Sequence, residues 1–200
     1  MNKVPVKDYG GPVFVLVRPQ LAENMGMVAR AMMNCGLSSL RLVAPRENWL
    51  SEKAISAASG AAQILEKAEN FNTLEEALSD MHVVMATTAR IRDMIKPVMT
   101  PMTATQKTVC AVKHKELVAW VFGPERTGLE NTDLALSDGL VQIPLNPLHS
   151  SLNLSQAVLL MGYHWWTYGK KEKKTLVTGG AKVATKKELA LFLKKLDANL

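Results

Sequence analysis

The sequence predicts an α/β protein in which helices cover both faces of a parallel β-sheet. Two patterns indicate this fold class: short runs of consecutive apolar residues, and longer stretches of helical or alanine-rich character between them. Strands buried on both faces have such continuous apolar character. A chain of 200 residues, 48% of them hydrophobic, suits one domain with a sizeable core. The predicted strands are 13–17, 40–43, 81–86, 117–122 and 140–145.

Capping and terminating residues place the helices between these strands. Asn24 is predicted to cap the first helix, and Gly36 stands where a glycine commonly ends one. Thr73 and Glu76 have the spacing of a capping box, and a Thr-Pro pair at 100–101 opens a later helix. The predicted helices are 25–35, 51–67, 73–79, 100–115, 132–137 and 152–168.

The periodic pattern stops near Tyr168, and the composition changes after it. Glycines and lysines replace apolar residues over 169–185, which predicts a linker between a domain of residues 1–168 and the start of a helical extension at 186–200. The apolar stripe of this extension has nothing obvious to bury it, so either the chain continues beyond Leu200 or the stripe docks on a partner. The stripe consists of Leu189, Phe192, Leu193 and Leu196.

The net charge of +6 belongs to the C-terminal segment alone. From Thr167 onward there are nine lysines and three acidic residues, so the preceding residues carry no net charge. Such a tail is either a solvated linker or a nucleic-acid contact. No apolar run is long enough to span a membrane and no signal peptide is visible, so a cytoplasmic protein is expected. Cys35 and Cys110 lack metal-binding spacing and are expected to be reduced and buried.

Segment 142–158 is the most informative part of the sequence. A predicted strand breaks at Pro147, and polar side chains then crowd the first turn of a helix, where unpaired backbone N–H groups converge. This arrangement is either an ordinary helix cap or a site for a small polar ligand. The polar residues are Ser150, Ser151, Asn153 and Ser155.

A second candidate loop, 122–129, has glycines on both sides of Glu125. Gly123 would let a ligand approach the backbone closely, although a simple turn explains the same residues. In open α/β sheets, ligands bind beyond the carboxyl ends of the strands. The loops expected at that edge are 18–24, 87–92, 123–128 and 146–153.

Several common kinds of site lack their motifs here. No glycine-rich dinucleotide-binding motif follows the first strand, and the sequence has no Walker phosphate-binding loop. No group of His, Cys and carboxylate residues has metal-binding spacing, so no metal is expected. His149 stands beside Ser150, but the nucleophile elbow of serine hydrolases is absent.

Three ordered segments resemble the motifs of SPOUT-class RNA ribose 2′-O-methyltransferases, and the TrmJ type fits best. The segments are LVRPQLAENMGMVARAM at 16–32, FGPERTGL at 122–129 and IPLNPLHSSLNLSQAV at 143–158. The loop TTAR at 87–90 and the doubled serine in SSLNL favour the TrmJ type over its TrmH-type relatives. The resemblance covers about residues 12–166, and the order and spacing of the motifs make it specific.

The resemblance implies a fold and an activity that periodicity alone does not give. The C-terminal part of the domain would thread through a deep trefoil knot, an exception to the usual rule for chain connections. The protein would be a homodimer that transfers a methyl group from S-adenosyl-L-methionine to tRNA, at nucleotide 32 of the anticodon loop. The implied cofactor-binding residues are Thr87, Thr88, Ala89, Gly123, Ile143, Ser150, Ser151 and Leu152. The implied catalytic residues are Asn24, Arg30, Glu125, Ser151 and Asn153.

Arg30 matches the catalytic arginine of the family. A guanidinium stays protonated in proteins and is therefore a poor base. We expect Arg30 instead to bind the adjacent phosphate and to stabilise the developing alkoxide. His149 is not expected to act as the base.

Some alternatives remain open at this point. One alternative makes Asn24 a simple helix cap, and another makes Glu125 a partner of Arg126. Neither role involves a ligand. A homodimer is also expected because Met161, Trp165 and Trp166 on the last helix leave apolar surface to cover. The alternative is that these residues pack within the monomer. The alternative function is a knotted RNA-binding module without activity, but the joint presence of all the catalytic matches favours the enzyme.

Overall fold

The computed structural model describes residues 10–89, 95–149, 151–170 and 184–199. The chain divides into two compact units, Met1–Tyr168 and Gly169–Leu200. The strands of the first unit are β1 (Val13–Val17), β2 (Leu40–Val43), β3 (Glu69–Phe71), β4 (Val83–Thr87), β5 (Val98–Met99), β6 (Val118–Phe122) and β7 (Gly139–Val141). Its helices are α1 (Ala22–Asn34), α2 (Glu52–Ala58), α3 (Ala62–Glu66), α4 (Leu74–Leu78), α5 (Pro101–Lys113), α6 (Asn131–Ala135) and α7 (Leu154–Thr167).

The strands form one seven-stranded sheet in the order β3-β2-β1-β6-β4-β7-β5. All paired neighbours run parallel, and the register places Phe14 beside Trp120 and Leu16 beside Phe122 near the centre of the sheet. β6 is buried along its whole length, which explains why its sequence VAWVF shows no polar alternation. The predicted fold class, a parallel sheet flanked by helices, is confirmed.

Successive residues of β1 point to opposite faces of the sheet and enter two separate cores. Phe14 and Leu16 pack in the larger core with residues of α1, α3 and α7. The Phe14 ring lies 5.4 Å from the rings of both Trp120 and Phe122. Val15 and Val17 pack on the other face with residues of α4 and α6. Both faces are therefore covered by helices, and the loops at the strand ends remain accessible.

Several boundaries differ from the sequence-based prediction. The predicted helix 51–67 is two helices, because Ser59 and Gly60 adopt left-handed conformations with φ of 46° and 94° between α2 and α3. The strand predicted at 140–145 ends at Val141, and Pro144 cannot donate a hydrogen bond to continue the ladder. The sequence does not predict β3 and β5, because strands of three and two residues carry no detectable period.

α7 packs against α1 and turns one apolar face toward the core. Met161 is fully buried, and the Trp165 ring meets the Trp120 ring edge-on with 6.5 Å between centroids. The interpretation of Met161 as surface to be covered by a second subunit is therefore wrong, whereas Trp165 is only partly buried. Trp166, on the opposite side of the helix, keeps 36% of its surface exposed.

The two cysteines differ in their surroundings. Cys35 is buried, and burial raises the pKa of its thiol to about 11. Cys110 is exposed, so the prediction that both cysteines are buried is wrong for this residue. The buried residues of α5 follow helical spacing through Ala104, Thr108 and Ala111, and Cys110 lies off this face.

The second unit contains the helix α8 (Lys186–Asp197), which begins at a capping box formed by Thr185 and Glu188. Every side chain of α8 that the structure describes is exposed, including the predicted apolar stripe. Most of the predicted linker, 171–183, lies outside the described residues. Across the described ranges of both units, no helix is long and apolar enough to cross a membrane.

Candidate functional site

A cavity of about 270 Å³ lies at the carboxyl ends of β4, β6 and β7. Three segments that are far apart in the chain form its wall: the end of β4, the loop 123–129 and the segment 143–152. This is the edge of the sheet where the sequence predicts ligand binding. The predicted cofactor residues in the lining are Thr87, Thr88, Ala89, Gly123, Ile143, Ser151 and Leu152. Ser150, the remaining predicted residue, lies outside the described residues.

Gly123 is required by the backbone of its own loop. A Cβ at this position would overlap the backbone of Gly128 and Leu129, because the loop folds back on itself. Gly128 has φ of 67°, and its N–H donates to the Pro124 carbonyl at 2.9 Å. Gly123 therefore allows two parts of the loop backbone to approach each other closely, and it also lines the cavity.

The end of β4 is held by two neighbouring strands. The Thr87 hydroxyl donates to the Val121 carbonyl of β6 at 3.0 Å, and the Thr88 N–H donates to the Val141 carbonyl of β7 at 2.9 Å. Because β4 lies between β6 and β7, these bonds fix the wall of the cavity on both sides. Arg90, the last residue of the TTAR segment, lies outside the described residues.

Beside the cavity, three predicted site residues form a continuous row of hydrogen bonds. The Asn24 Nδ2 donates to Glu125 Oε1 at 2.7 Å, and the Asn153 Nδ2 donates to Asn24 Oδ1 at 3.0 Å. The second carboxylate oxygen of Glu125 accepts from the Gln20 N–H at 3.0 Å. Glu125 is thus a partner of Asn24 and not of Arg126. The alternative in which Glu125 only pairs with Arg126 is therefore wrong.

Asn24 is not the cap of α1, contrary to the prediction. The helix begins earlier, with Leu21 at the N-cap position and no capping hydrogen bond from its side chain. Glu47, from the loop after β2, accepts from the Ala22 N–H at 2.9 Å and takes that role. Asn24 is only 4% exposed, and its amide is free to join the row.

Asn153, in the Ser-Ser-Leu-Asn-Leu-Ser turn, is a helix cap and also belongs to the row of hydrogen bonds beside the cavity. Its Oδ1 accepts from the Ser155 N–H at 2.8 Å and from the Ser155 hydroxyl at 2.7 Å, which caps α7. The Gln156 side chain completes a capping box by accepting from the Asn153 N–H. Since Nδ2 is still free to reach Asn24, one side chain starts the helix and joins the row.

An ion pair that the sequence does not predict joins the end of β1 to α6, the helix that follows the loop after β6. Arg18 donates to both carboxylate oxygens of Asp133 in α6, at 3.2 and 2.5 Å. Asp133 also accepts from the Glu130 N–H at 2.8 Å, which closes the start of α6. The hydrogen bond with Asp133 raises the pKa of Arg18. A positive φ of 47° at Arg18 marks the same position, but φ cannot be read from a sequence.

The structure does not bring Arg30 into the cavity. Its side chain is exposed on α1, and it forms no hydrogen bond or ion pair within the part of the chain that the structure describes. A rise of 1.5 Å per residue places Arg30 about 9 Å along the helix from Asn24. His149 is also exposed and outside the cavity lining. Asn24, Glu125, Asn153 and Ser151 are therefore gathered at one place, whereas Arg30 is separate from them.

Comparison with known proteins agrees with this grouping of the three motif segments. Residues 11–163 match the model of the SpoU rRNA Methylase family. The chain belongs to this family. A curated relative of the SpoU family, the tRNA (cytidine/uridine-2'-O-)-methyltransferase TrmJ of Klebsiella pneumoniae, is 42% identical over 149 residues. The match covers 74% of this chain and 60% of the relative, so the chain spans about three fifths of the length of such curated members.

Solved structures of similar proteins show the same fold. The crystal structure of TrmJ from Z. mobilis ZM4 has a TM-score of 0.74 at 44% identity, covering 94% of this chain and 78% of that chain. A putative methylase family protein from Neisseria gonorrhoeae has a TM-score of 0.75 at 30% identity, covering 97% and 98%. The resemblance drawn from the three sequence motifs is therefore confirmed.

Proposed function

We propose that this chain is an S-adenosyl-L-methionine-dependent methyltransferase acting on the ribose 2′-hydroxyl of tRNA nucleotide 32, in the anticodon loop. The observation that carries the proposal is the row Asn153–Asn24–Glu125 beside a cavity lined by the end of β4, the loop 123–129 and the segment 143–152. The name of the relative from Klebsiella pneumoniae supports tRNA as the substrate. Such a substrate places the proposed activity in the cytoplasm.

The chemistry of the cavity lining fits the proposed cofactor. Ile143 and Leu152 offer apolar surface for a purine ring, and Thr87, Thr88 and Ser151 offer hydroxyl and backbone groups for polar atoms. When bound, the cofactor supplies an electrophilic methyl group, and transfer from a sulfonium requires no metal ion. Ser150 completes the proposed binding set through the family resemblance.

The row of hydrogen bonds orients the groups that border the cavity. Asn24 uses both ends of its amide, so the side chain has one orientation only. Glu125 is held by Asn24 and by the backbone at Gln20, which fixes the loop 123–129 against the loop after β1. We assign these residues to the positioning of the substrate ribose, since proximity and orientation supply much of the rate in transfer reactions.

Arg30 is proposed to act on a substrate phosphate from outside the cavity. Its exposed guanidinium has no internal counter-charge among the described residues, so it is available for an anion. Once bound RNA brings the reacting oxygen close to the guanidinium, this charge would stabilise the alkoxide that develops during transfer. Because Arg30 has no side-chain partner among the described residues, its proposed role begins only when RNA is bound.

The protein is further proposed to be a homodimer with a trefoil-knotted chain. Leu159, Tyr163 and Trp166 follow one another at four- and three-residue spacing on α7 and are 41%, 57% and 36% exposed. Met27 of the adjoining α1 is 37% exposed. An apolar surface of this kind is typical of an interface between identical subunits.

Methylation of tRNA transcripts by the purified protein tests the proposal. Transfer of a labelled methyl group, followed by mass mapping, should place the modification on the ribose of nucleotide 32. A methyl group on another ribose would keep the reaction class and change the position. Cofactor and RNA binding without transfer would favour the inactive RNA-binding module. Calorimetry in the presence of a chelator tests the cofactor, and absence of binding there would remove its assignment.

A further inference from the structure

The loop after β2 carries an arginine that has no part in the proposed chemistry. Arg46 is exposed, and its side chain forms no hydrogen bond or ion pair within the described ranges. Arg41, on β2 itself, binds Asp80 at 2.6 Å and Glu69 at 3.3 Å. An arginine that keeps its charge in water without a partner, close to an active site, is available to an anionic ligand.

Backbone contacts fix the loop that carries Arg46. Its N–H donates to the Pro19 carbonyl at 3.0 Å, and the next residue, Glu47, accepts from the Ala22 N–H at 2.9 Å. Ala44 has φ of 44°, a conformation that a residue with a Cβ keeps only where its surroundings enforce it. The guanidinium therefore projects from a rigid base.

Arg46 lies at the same edge of the sheet as the cavity. β1 separates β2 from β6, and neighbouring strands are about 4.8 Å apart, so the ends of β2 and β6 are about 10 Å apart. Pro19, which Arg46 contacts, precedes Gln20, whose N–H donates to Glu125. A polymer whose reacting ribose lies at the cavity would pass over this loop with a neighbouring nucleotide.

The loops after β1, β2 and β6 contain three arginines and three carboxylates, but two of the arginines have no side-chain partner among the described residues. Each carboxylate in the loops after β1, β2 and β6 already has a partner: Glu47 has the start of α1, Glu125 has Asn24 and Glu130 has Arg18. Arg46 and Arg126 are exposed and, among the described residues, have none. Planar guanidinium groups suit phosphate oxygens, which they can bind through two parallel hydrogen bonds.

We propose that Arg46 binds a backbone phosphate of the RNA substrate beside the methylated nucleotide and so directs the strand across the loops after β1 and β2. This inference rests on the proposed function, because it takes RNA as the substrate. A phosphate contact positions the strand without reading its sequence. Arg46 therefore contributes affinity for all substrate tRNAs alike.

The test compares Arg46→Ala and Arg46→Lys with Lys67→Ala in the full chain. Lys67 is an exposed cation that precedes β3, at the opposite edge of the sheet. Its loss changes the net charge by the same amount as the loss of Arg46. For Arg46→Ala, the KM for tRNA should rise about tenfold, as expected when a charge-assisted hydrogen bond is lost. The kcat and the Kd for S-adenosyl-L-methionine should stay unchanged, Arg46→Lys should be intermediate, and Lys67→Ala should resemble wild type.

Salt dependence of tRNA binding supplies the second measurement. Loss of one phosphate contact should reduce the slope of log K against log salt by about 0.7–0.9 in Arg46→Ala. If Arg46→Ala left the KM and the slope unchanged, the inference would be overturned. Methylation by the wild-type protein would still uphold the proposed function. If Lys67→Ala raised the KM and reduced the slope by the same amounts, the inference would also be overturned, because the effect would then come from net charge. If wild type bound tRNA through Arg46 but transferred no methyl group, the inference would stand and the catalytic function would fail.

Discussion

Asn24 shows how one residue type at a helix start can serve two purposes. Asparagine is common at N-caps, and the sequence therefore favours that interpretation. The structure assigns the capping of α1 to Glu47 and leaves the Asn24 amide to bridge Glu125 and Asn153. The physical difference lies in burial, because a nearly buried amide must find partners for both of its ends.

Replacing Asn24 should therefore disrupt the row at its centre. Asn24→Ala removes one hydrogen-bond partner each from Glu125 and Asn153 and should destabilise the fold by about 1–3 kcal/mol, with a larger loss in Asn24→Asp, which places a second carboxylate opposite Glu125. Methylation should fall at least about a hundredfold in both. Thermal unfolding and single-turnover rates measure these effects. Asn34→Ala, an exposed change on the same helix, is the control. Wild-type turnover in Asn24→Ala would contradict the assignment.

Gly123 offers a second test at the scale of one residue. Gly123→Ala should displace the loop 123–129, because the added methyl group overlaps the backbone of Gly128 and Leu129. Cofactor affinity should fall below detection by calorimetry, and the unfolding temperature should drop. Gly60→Ala is the comparison: φ there is 94°, so alanine strains the backbone, but the added Cβ meets open space and cofactor affinity should stay unchanged. A Gly123→Ala protein that binds cofactor normally would show that the turn adapts.

Among the elements, the position of α6 depends on Arg18. The pair Arg18–Asp133 joins the end of β1 to the helix that follows the cavity loop, whereas Arg41–Asp80 is a similar two-bond pair away from the cavity. Arg18→Lys and Arg41→Lys should each lose about 1–3 kcal/mol of stability, because lysine cannot make both bonds. Only Arg18→Lys should raise the cofactor Kd, by about tenfold. Equal Kd changes in the two variants would mean that stability alone sets affinity.

The second of these pairs also has an expected pH dependence. The hydrogen bond from Arg41 lowers the pKa of Asp80 below its ordinary value of 3.8. The pair therefore contributes stability above pH 3.8, and this contribution is lost as the pH falls through the lowered pKa of the folded state. Urea unfolding of Asp80→Asn should be less sensitive to pH in that acidic range than wild type. An identical slope of stability against pH in the two proteins would contradict the prediction.

The elements that the sequence predicts are those with local patterns. Val13–Val17, Leu40–Val43 and the capping boxes at Thr73 and Thr185 follow from apolar runs and cap residues within a few positions. The Arg18–Asp133 and Ala22–Glu47 contacts join residues 115 and 25 positions apart, so no local pattern reports them. The motif resemblance supplied the cavity residues, but it did not reveal that Arg30 lies outside the cavity.

For the whole molecule, the exposed face of α7 is expected to mediate assembly. Tyr163→Glu together with Leu159→Glu places two charges on this face and should convert a homodimer to monomers in light scattering. Lys107→Glu on α5 is an exposed control that should leave the assembly unchanged. The folded monomer should persist, because neither residue belongs to the core. A wild-type protein that is monomeric at micromolar concentration would contradict the dimer.

The row that borders the cavity has a consequence for synthesis of the chain. Asn24, Glu125 and Asn153 lie in the first, third and last quarters of the first unit, and 101 and 129 residues separate Asn24 from its two partners. On the ribosome, Asn24 and its helix emerge long before α7 does. Until α7 docks, Asn24 and Glu125 can already pair, but the Asn24 Oδ1 lacks the hydrogen bond from Asn153. The row beside the cavity is therefore completed only when the last helix of the first unit has been made.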